Sequence, residues 1–222
     1  MCKTCVEMPK PFSRAVAPDL SLWRPGQIIT IGFLDEVSYP ARKEIIGFAA
    51  EWESVVYLHF DYQFDGRASE HTMVRIDCMP GKGSWSYVGS DCMMVHEGAT
   101  MNFGWFYESS DVEKRRVVLH EFGHMLGLGH EHNNPKNDIK WNKRAVYDYY
   151  WGPPNYWPPD KVDQNLFYKY SMSSSNSSRF DPDSIMIYPI PEEFTTDGYS
   201  VGWSNELSAT DKEWISMLYP EP

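Results

Sequence analysis

The residues that could do chemistry are gathered in one short run, His120-Glu121-Phe122-Gly123-His124-Met125-Leu126-Gly127-Leu128-Gly129-His130. On a helix, His120 and His124 stand one turn apart and face the same way. Two imidazoles so placed can hold one metal ion. Glu121 is rotated off that axis but stays near the ion, where a carboxylate can take a proton from a metal-activated water. Gly127 can stop the helix, because glycine accepts the left-handed conformation that helix ends often need. The chain can then swing back and deliver His130 as a third ligand. Three protein ligands leave a fourth tetrahedral position open, as catalytic zinc requires, so one zinc ion per chain is expected. A chance match at the five fixed positions is roughly one in 10⁵ for a chain of this size on average residue usage. The competing reading is an amphipathic helix with surface histidines.

Such a helix needs a scaffold, and the chain before it supplies one. Gln27 to Leu34 is apolar and β-branched and reads as a strand. Ser38 and Pro40 mark a helix start, and Ile45, Ala49, Trp52 and Val56 form one apolar helical stripe. Val55 to Gln63, Thr72 to Cys78 and Ser84 to Ser90 read as further strands. Ala99 to Trp105 alternates Met101, Phe103 and Trp105 against Thr100, Asn102 and Gly104, which is the period of a strand. Ser110 and Glu113 make a capping-box pattern at the front of the motif helix, with Val118, Phe122 and Met125 as its buried face. The order β-α-β-β-β-α predicts a twisted mixed sheet carrying an active-site helix and a backing helix.

Beyond His130 the composition changes. Asn133 to Lys143 is polar, Gly152 to Asp160 is rich in proline, and Ser171 to Ser178 is nearly all serine and reads as a surface loop. Regular structure is expected to be sparse until Ser208 and Asp211, which resemble a helix start leading into Trp214, Ile215, Leu218 and Tyr219. The fold class expected is α+β in two lobes. Residues 1–20 form a tail or arm, and 21–222 form the catalytic domain, with an upper lobe over about 21–129 and a lower lobe over about 130–222.

Composition bounds the rest. The chain has 222 residues, 42% of them hydrophobic, enough for a core in one domain. Its net charge of −11 argues against nucleic acid and anionic membrane surfaces as partners. No apolar run approaches the ~20 residues of a membrane span. Met1 to Arg14 lacks the apolar core of a signal peptide, so the compartment stays open: secreted if a leader precedes this sequence, cytoplasmic otherwise. A monomer is expected. Cys2 and Cys5 form a lone C-x-x-C in the proline-rich tail, read as incidental thiols, with half a zinc knuckle or a thiolate cap over the catalytic zinc as alternatives. Cys78 and Cys92 could meet across a hairpin as a disulfide.

A second constellation narrows the family. Ser184-Ile185-Met186-Ile187-Tyr188, following Asp181 and Asp183, resembles the methionine turn of metzincins, the zinc peptidases with the extended histidine motif. Within that clan the chain looks most like the astacin-type peptidases. Glu131 directly follows the third histidine, Tyr188 lies two residues after the turn methionine, and Leu207-Ser208, Asp211 and Leu218-Tyr219 look like the close of an astacin-like domain. There are departures: Ile187 stands where astacins commonly have histidine, and two disulfides cannot both be mapped onto the cysteines present.

The resemblance implies a zinc endopeptidase acting on protein or peptide substrates. It implies that His120, His124 and His130 ligate zinc, and that Glu121 is general base and then general acid to the leaving amine. Met186 is a packing platform beneath the ligands, and Tyr188 moves from the metal to the oxyanion during turnover. The residue equivalent to Glu131 is linked in that family to the mature N-terminus. The strand before the motif helix, here Thr100, Met101, Asn102, Phe103 and Gly104, is read as the cleft rim whose exposed edge pairs with substrate. His132 is read as structural, and His59, His71 and His96 as ordinary. Two alternatives stand beside this reading: a catalytically silent binding module that keeps the fold, and a zinc hydrolase of a non-peptide amide.

Overall fold

The computed structural model describes residues 21–34, 37–64, 67–69, 71–153, 155–170 and 178–222. The tail with Cys2 and Cys5 and most of the serine run lie outside the described residues.

The fold is α+β around a mixed sheet of five strands. These are β1 (Ile28–Phe33), β2 (His59–Gln63), β3 (Val74–Asp77), β4 (Ser84–Ser86) and β5 (Met101–Phe103). Their order across the sheet is β2-β1-β3-β5-β4, with all neighbours parallel except the antiparallel β4–β5 pair. Helix α1 (Tyr39–Glu53) connects β1 to β2, the long crossover that a parallel pair demands. Ser38 caps it, accepting a hydrogen bond from the Ala41 N–H, and Pro40 sits in its first turn, where a missing N–H costs nothing. Ile45, Ala49 and Trp52 of the expected stripe are buried, joined by Ala41, while Val56 falls past the end of the helix and is half-buried.

Helix α2 (Asp111–Met125) carries the histidine motif. Ser110 caps it by accepting from the Glu113 N–H, the first half of the expected capping box. The expectation of one buried face is too narrow, because every residue from Arg116 to Met125 is buried. A helix buried all round runs through the interior instead of lying on it. Its solvent-side half is tied to α1 by Arg115, which binds both carboxylate oxygens of Glu51 at 2.7 Å, and by Lys114 to Glu44 at 2.7 Å.

The second half of the chain holds more helix than the sequence suggests. Helix α3 (Lys143–Trp151) follows its cap Asn142, and the short α4 (Pro159–Val162) continues into a wide turn over Asp163–Phe167. Helix α5 (Ala209–Leu218) closes the fold with the full capping box of Ser208 and Asp211. No helix among the described residues is long and apolar enough to cross a membrane. Cys78 and Cys92 are buried free thiols, not a disulfide, and burial pushes both up to about 12.

Candidate active site and metal centre

The site begins where α2 ends. Three side chains from elsewhere in the chain take the carbonyls of its last turns: Trp52 Nε1 donates to Leu119 O at 2.8 Å, Trp23 Nε1 to Met125 O at 2.8 Å, and the Tyr219 hydroxyl to Leu126 O at 2.7 Å. The carbonyls of Met125 and Leu126 lie in the last turn and have no partner within the helix, so Trp23 and Tyr219 satisfy them where solvent cannot reach; Trp52 adds a second hydrogen bond to the Leu119 carbonyl inside the helix. Gly127 follows with φ +95°, and a Cβ there would meet Leu22 Cδ2 at 2.6 Å. Only glycine meets both demands without strain. The chain reverses, and His130 comes back over the helix.

His120, His124 and His130 each offer a ring nitrogen within 4.8 Å of the others, and all three are buried. Backbone carbonyls hold two of the rings: His120 Nδ1 lies 2.9 Å from Ile185 O, and His124 Nδ1 lies 2.8 Å from Leu128 O. A carbonyl only accepts, so both Nδ1 atoms carry the proton and both Nε2 atoms keep their lone pairs. His120 Nε2 is buried with no hydrogen-bond partner among the described residues. His124 Nε2 lies 3.2 Å from His130 Nε2. Two nitrogens bound about 2.0–2.1 Å from a tetrahedral ion stand about 3.3 Å apart, so this pair has the spacing of two zinc ligands, and His120 completes a group of three positioned to bind one ion. Burial, together with the neighbouring imidazoles, holds His120 and His130 well below the ordinary histidine range, which keeps them neutral and able to ligate.

Glu121 follows His120 on the same helix and is fully buried. Tyr188 is also buried; its ring centroid is 4.3 Å from that of His130 and 6.0 Å from that of His120. Met186 packs on Gly123, where a Cβ would overlap the Met186 sulfur and come within 3.4 Å of Trp52 Cζ2. Its carbonyl accepts from the Glu131 N–H at 3.0 Å, which ties the methionine turn to the loop carrying the third histidine. Glu131 itself accepts from Asn134 Nδ2 and from the Asp181 N–H, each at 2.9 Å. Burial pushes its carboxyl up to about 7 against those two hydrogen bonds. His132 stacks on His130 at 5.0 Å and packs on Tyr188 at 4.7 Å, with its Nε2 2.6 Å from Asn165 O.

The reading of Thr100 to Gly104 as an exposed cleft edge needs correction. Strand β5 is paired on both sides, with β3 and β4, and Thr100, Met101, Asn102, Phe103 and Gly104 are all buried. The polar members of the alternation serve the sheet and not a peptide. Asn102 accepts from Met79 N and donates to Gly83 O, while Thr100 Oγ1 accepts from Arg75 N. The free edge on this side of the sheet belongs to β4.

Residues that the motif did not reveal hold the site in place: Trp23, Trp52 and Tyr219 along the helix, and Ser184 and Asp211 behind the methionine turn. In the sequence Tyr219 and Asp211 stand out as parts of the closing helix and of the resemblance it carries, with no sign of these contacts.

Comparison with known proteins agrees with this geometry. The model of the peptidase family described as Astacin matches residues 16–219. Among solved structures, one of myroilysin superposes with a TM-score of 0.86 at 40% identity, covering 92% of this chain and 98% of that one. A crystal structure of myroilysin gives 0.71 at 37% identity over 99% and 91% of the two chains. High choriolytic enzyme 1, a hatching enzyme zinc-protease from Oryzias latipes (Medaka fish), gives 0.61 at 19% identity over 90% and 94%, a likeness of fold. No curated protein sequence matches the chain significantly.

Proposed function

This chain belongs to the astacin family of peptidases, and on that premise we propose that Glu121 is the general base of its reaction and Tyr188 a stabiliser of the oxyanion. The protein is a zinc-dependent endopeptidase, and three histidines are positioned to bind the ion. Zinc held by these histidines would lower the pKa of a water to about 7 and polarise the scissile carbonyl.

The observation that carries the assignment of the base is position: Glu121 is fully buried in the helix that presents His120 and His124. Its carboxylate takes the proton of the attacking water and passes it to the leaving amine. Removing this proton relay and nothing else is the job of Glu121→Ala. Tyr188, packed against His130, supplies a phenol hydrogen bond that matters most once the carbonyl oxygen carries charge. Met186 is the platform beneath the ligands; its contact with Gly123 supports that role.

For the peptide we propose strand β4. It is the outermost strand on this side of the sheet and packs against α2. Tyr87 N donates to Thr100 O at 3.1 Å, so residues 87 and 85 face β5 in the hydrogen-bonded sense. Bonded and non-bonded pairs alternate along an antiparallel ladder, which turns the N–H and C=O of Ser84 and Ser86 away from β5; both residues are buried, so a peptide that pairs there displaces what covers this edge. An extended peptide can pair with those groups as an added strand.

Cleavage-site profiling on a mixed peptide library tests the reading. Wild-type protein cuts internal peptide bonds, and Glu121→Ala loses about 10²–10⁴-fold in turnover with its fold and zinc retained, the range for a general base. Full activity in Glu121→Ala would remove it from the mechanism.

A further inference from the structure

Behind the methionine turn stands a carboxylate that helix capping alone does not account for. Asp211 occupies the first turn of α5 and is 6% exposed. Capping needs one acceptor, and Asp211 Oδ2 provides it to the Ser208 N–H at 3.0 Å. The same oxygen also accepts from the Ile185 N–H at 2.8 Å, and Oδ1 accepts from the Ser184 hydroxyl at 2.6 Å. Ser184 Oγ in turn accepts from the Met186 N–H at 3.0 Å.

These bonds converge on one peptide unit. The Met186 N–H and the Ile185 C=O belong to the same rigid plane. One end of that plane is held, through the Ser184 hydroxyl, by Asp211. The other end receives the Nδ1–H of His120 at 2.9 Å. Because the plane cannot twist, holding the N–H aims the carbonyl. Chains of hydrogen bonds also polarise one another, so a carboxylate at the far end makes the Ile185 oxygen a stronger acceptor and the His120 Nε2 lone pair more basic. The carboxyl is itself raised by burial, with its three hydrogen bonds pulling the other way. A solvent-facing cap would avoid that cost.

We propose that Asp211 is a positioning residue for the zinc ligand His120, acting through the Ser184 hydroxyl and the Ile185–Met186 peptide, so that the closing helix governs how firmly the metal is retained. This rests on His120 as a zinc ligand. It gives α5 a function beyond packing: the last helix of the chain completes the outer hydrogen-bond shell of a ligand 91 residues earlier in sequence.

The test uses the full chain loaded with zinc and reads zinc release into an excess of a chromophoric chelator, alongside the melting temperature. Four variants separate capping from positioning. Ser208→Ala removes the side-chain cap of α5 and leaves the clasp on Ser184 and Ile185; it lowers the melting temperature but releases zinc within about twofold of wild type. Asp211→Ala removes both and speeds release about 10–100-fold, the usual scale for losing an outer-shell partner. Asp211→Asn keeps an acceptor for Ile185 and Ser208 but turns an NH2 toward the Ser184 hydroxyl and removes the charge, so it speeds release in the same direction as Asp211→Ala while keeping the cap. Ser184→Ala cuts the relay from the turn side with the cap intact and moves release in the same direction as Asp211→Ala; it decides the matter alone if Asp211→Ala does not fold. Release at the wild-type rate from Ser184→Ala, or equal rates from Asp211→Ala and Ser208→Ala, would overturn the proposal. His120→Ala serves as the control on the premise: if it binds zinc as wild type does, the ligand assignment has failed and this inference with it.

Discussion

Gly123 and Met186 meet so closely that the α2 backbone rests on the methionine sulfur, with no room for a side chain between them. Gly123 lies between the two helical ligands His120 and His124, so this contact sets the height of the ligand pair above the methionine turn. Gly123→Ala gains about 1 kcal/mol in helix propensity but drives a Cβ into the sulfur. Overpacking of this kind costs typically about 1–3 kcal/mol. The single variant is therefore expected to melt below wild type despite the better helix former. Adding Met186→Ala should relieve the clash, and a double-mutant cycle should show coupling of at least about 0.5 kcal/mol. Strict additivity would mean that the contact bears no load.

Acid should loosen the zinc-free protein through its buried imidazoles. Burial holds His132 at about 4, with the Asn165 carbonyl pulling upward, and keeps His120 and His130 well below the ordinary value of 6.5. A folded-state value below the unfolded one means that the unfolded chain binds more protons. Stability is therefore fully present above about pH 6.5 and drains away as pH falls toward about 4. Glu131, raised to about 7, works the other way over the same window, because its folded carboxyl takes up a proton that the unfolded one does not; with three imidazoles set against it, urea midpoints of zinc-free protein should still fall from pH 7.5 to pH 5, and His132→Gln should flatten that slope. A midpoint unchanged over this range would contradict the burial account.

Tyr188→Phe separates a catalytic phenol from a core ring. A donor used mainly in the transition state shows in kcat more than in KM. Losing a principal oxyanion donor costs on the order of 10²–10³ in kcat; with zinc sharing that task the loss is expected nearer ~10–10². Zinc content should be unchanged, since three histidines still hold it. Normal kcat with a lowered melting temperature would mark Tyr188 as packing only.

Some of this was legible in the sequence because it is written in local periods. The stripe of Ile45, Ala49 and Trp52, the cap at Ser110 and the ligand spacing from His120 to His130 are all short-range signals, and the structure realises each. The sheet edge was not legible. Alternation in Met101, Asn102 and Phe103 reports a strand but not its neighbours, and only the order β3-β5-β4 shows that the outermost strand of the sheet on this side is Ser84–Ser86. Helix α3 lies between a polar segment and a proline-rich one, and its nine residues hold a single short apolar repeat, Val146 and Tyr150, which is too short to mark a helix by itself. The anchors Trp23, Trp52 and Tyr219 work across long sequence separations, where a side chain's hydrogen bond to a helix carbonyl leaves no pattern. Asp211 announced itself as a cap, and its grip on Ser184 and Ile185 becomes visible only once the turn is folded against it.

The central claim, that these three histidines hold the metal on which peptide cleavage depends, is tested most directly by elemental analysis of protein purified without added metal, compared with His130→Ala and paired with a peptide-cleavage assay. The account predicts one zinc per wild-type chain, a sharp loss of zinc in His130→Ala because one of three ligands is gone, and cleavage that falls with zinc content. Wild-type protein that cleaves peptides while carrying no metal would contradict it.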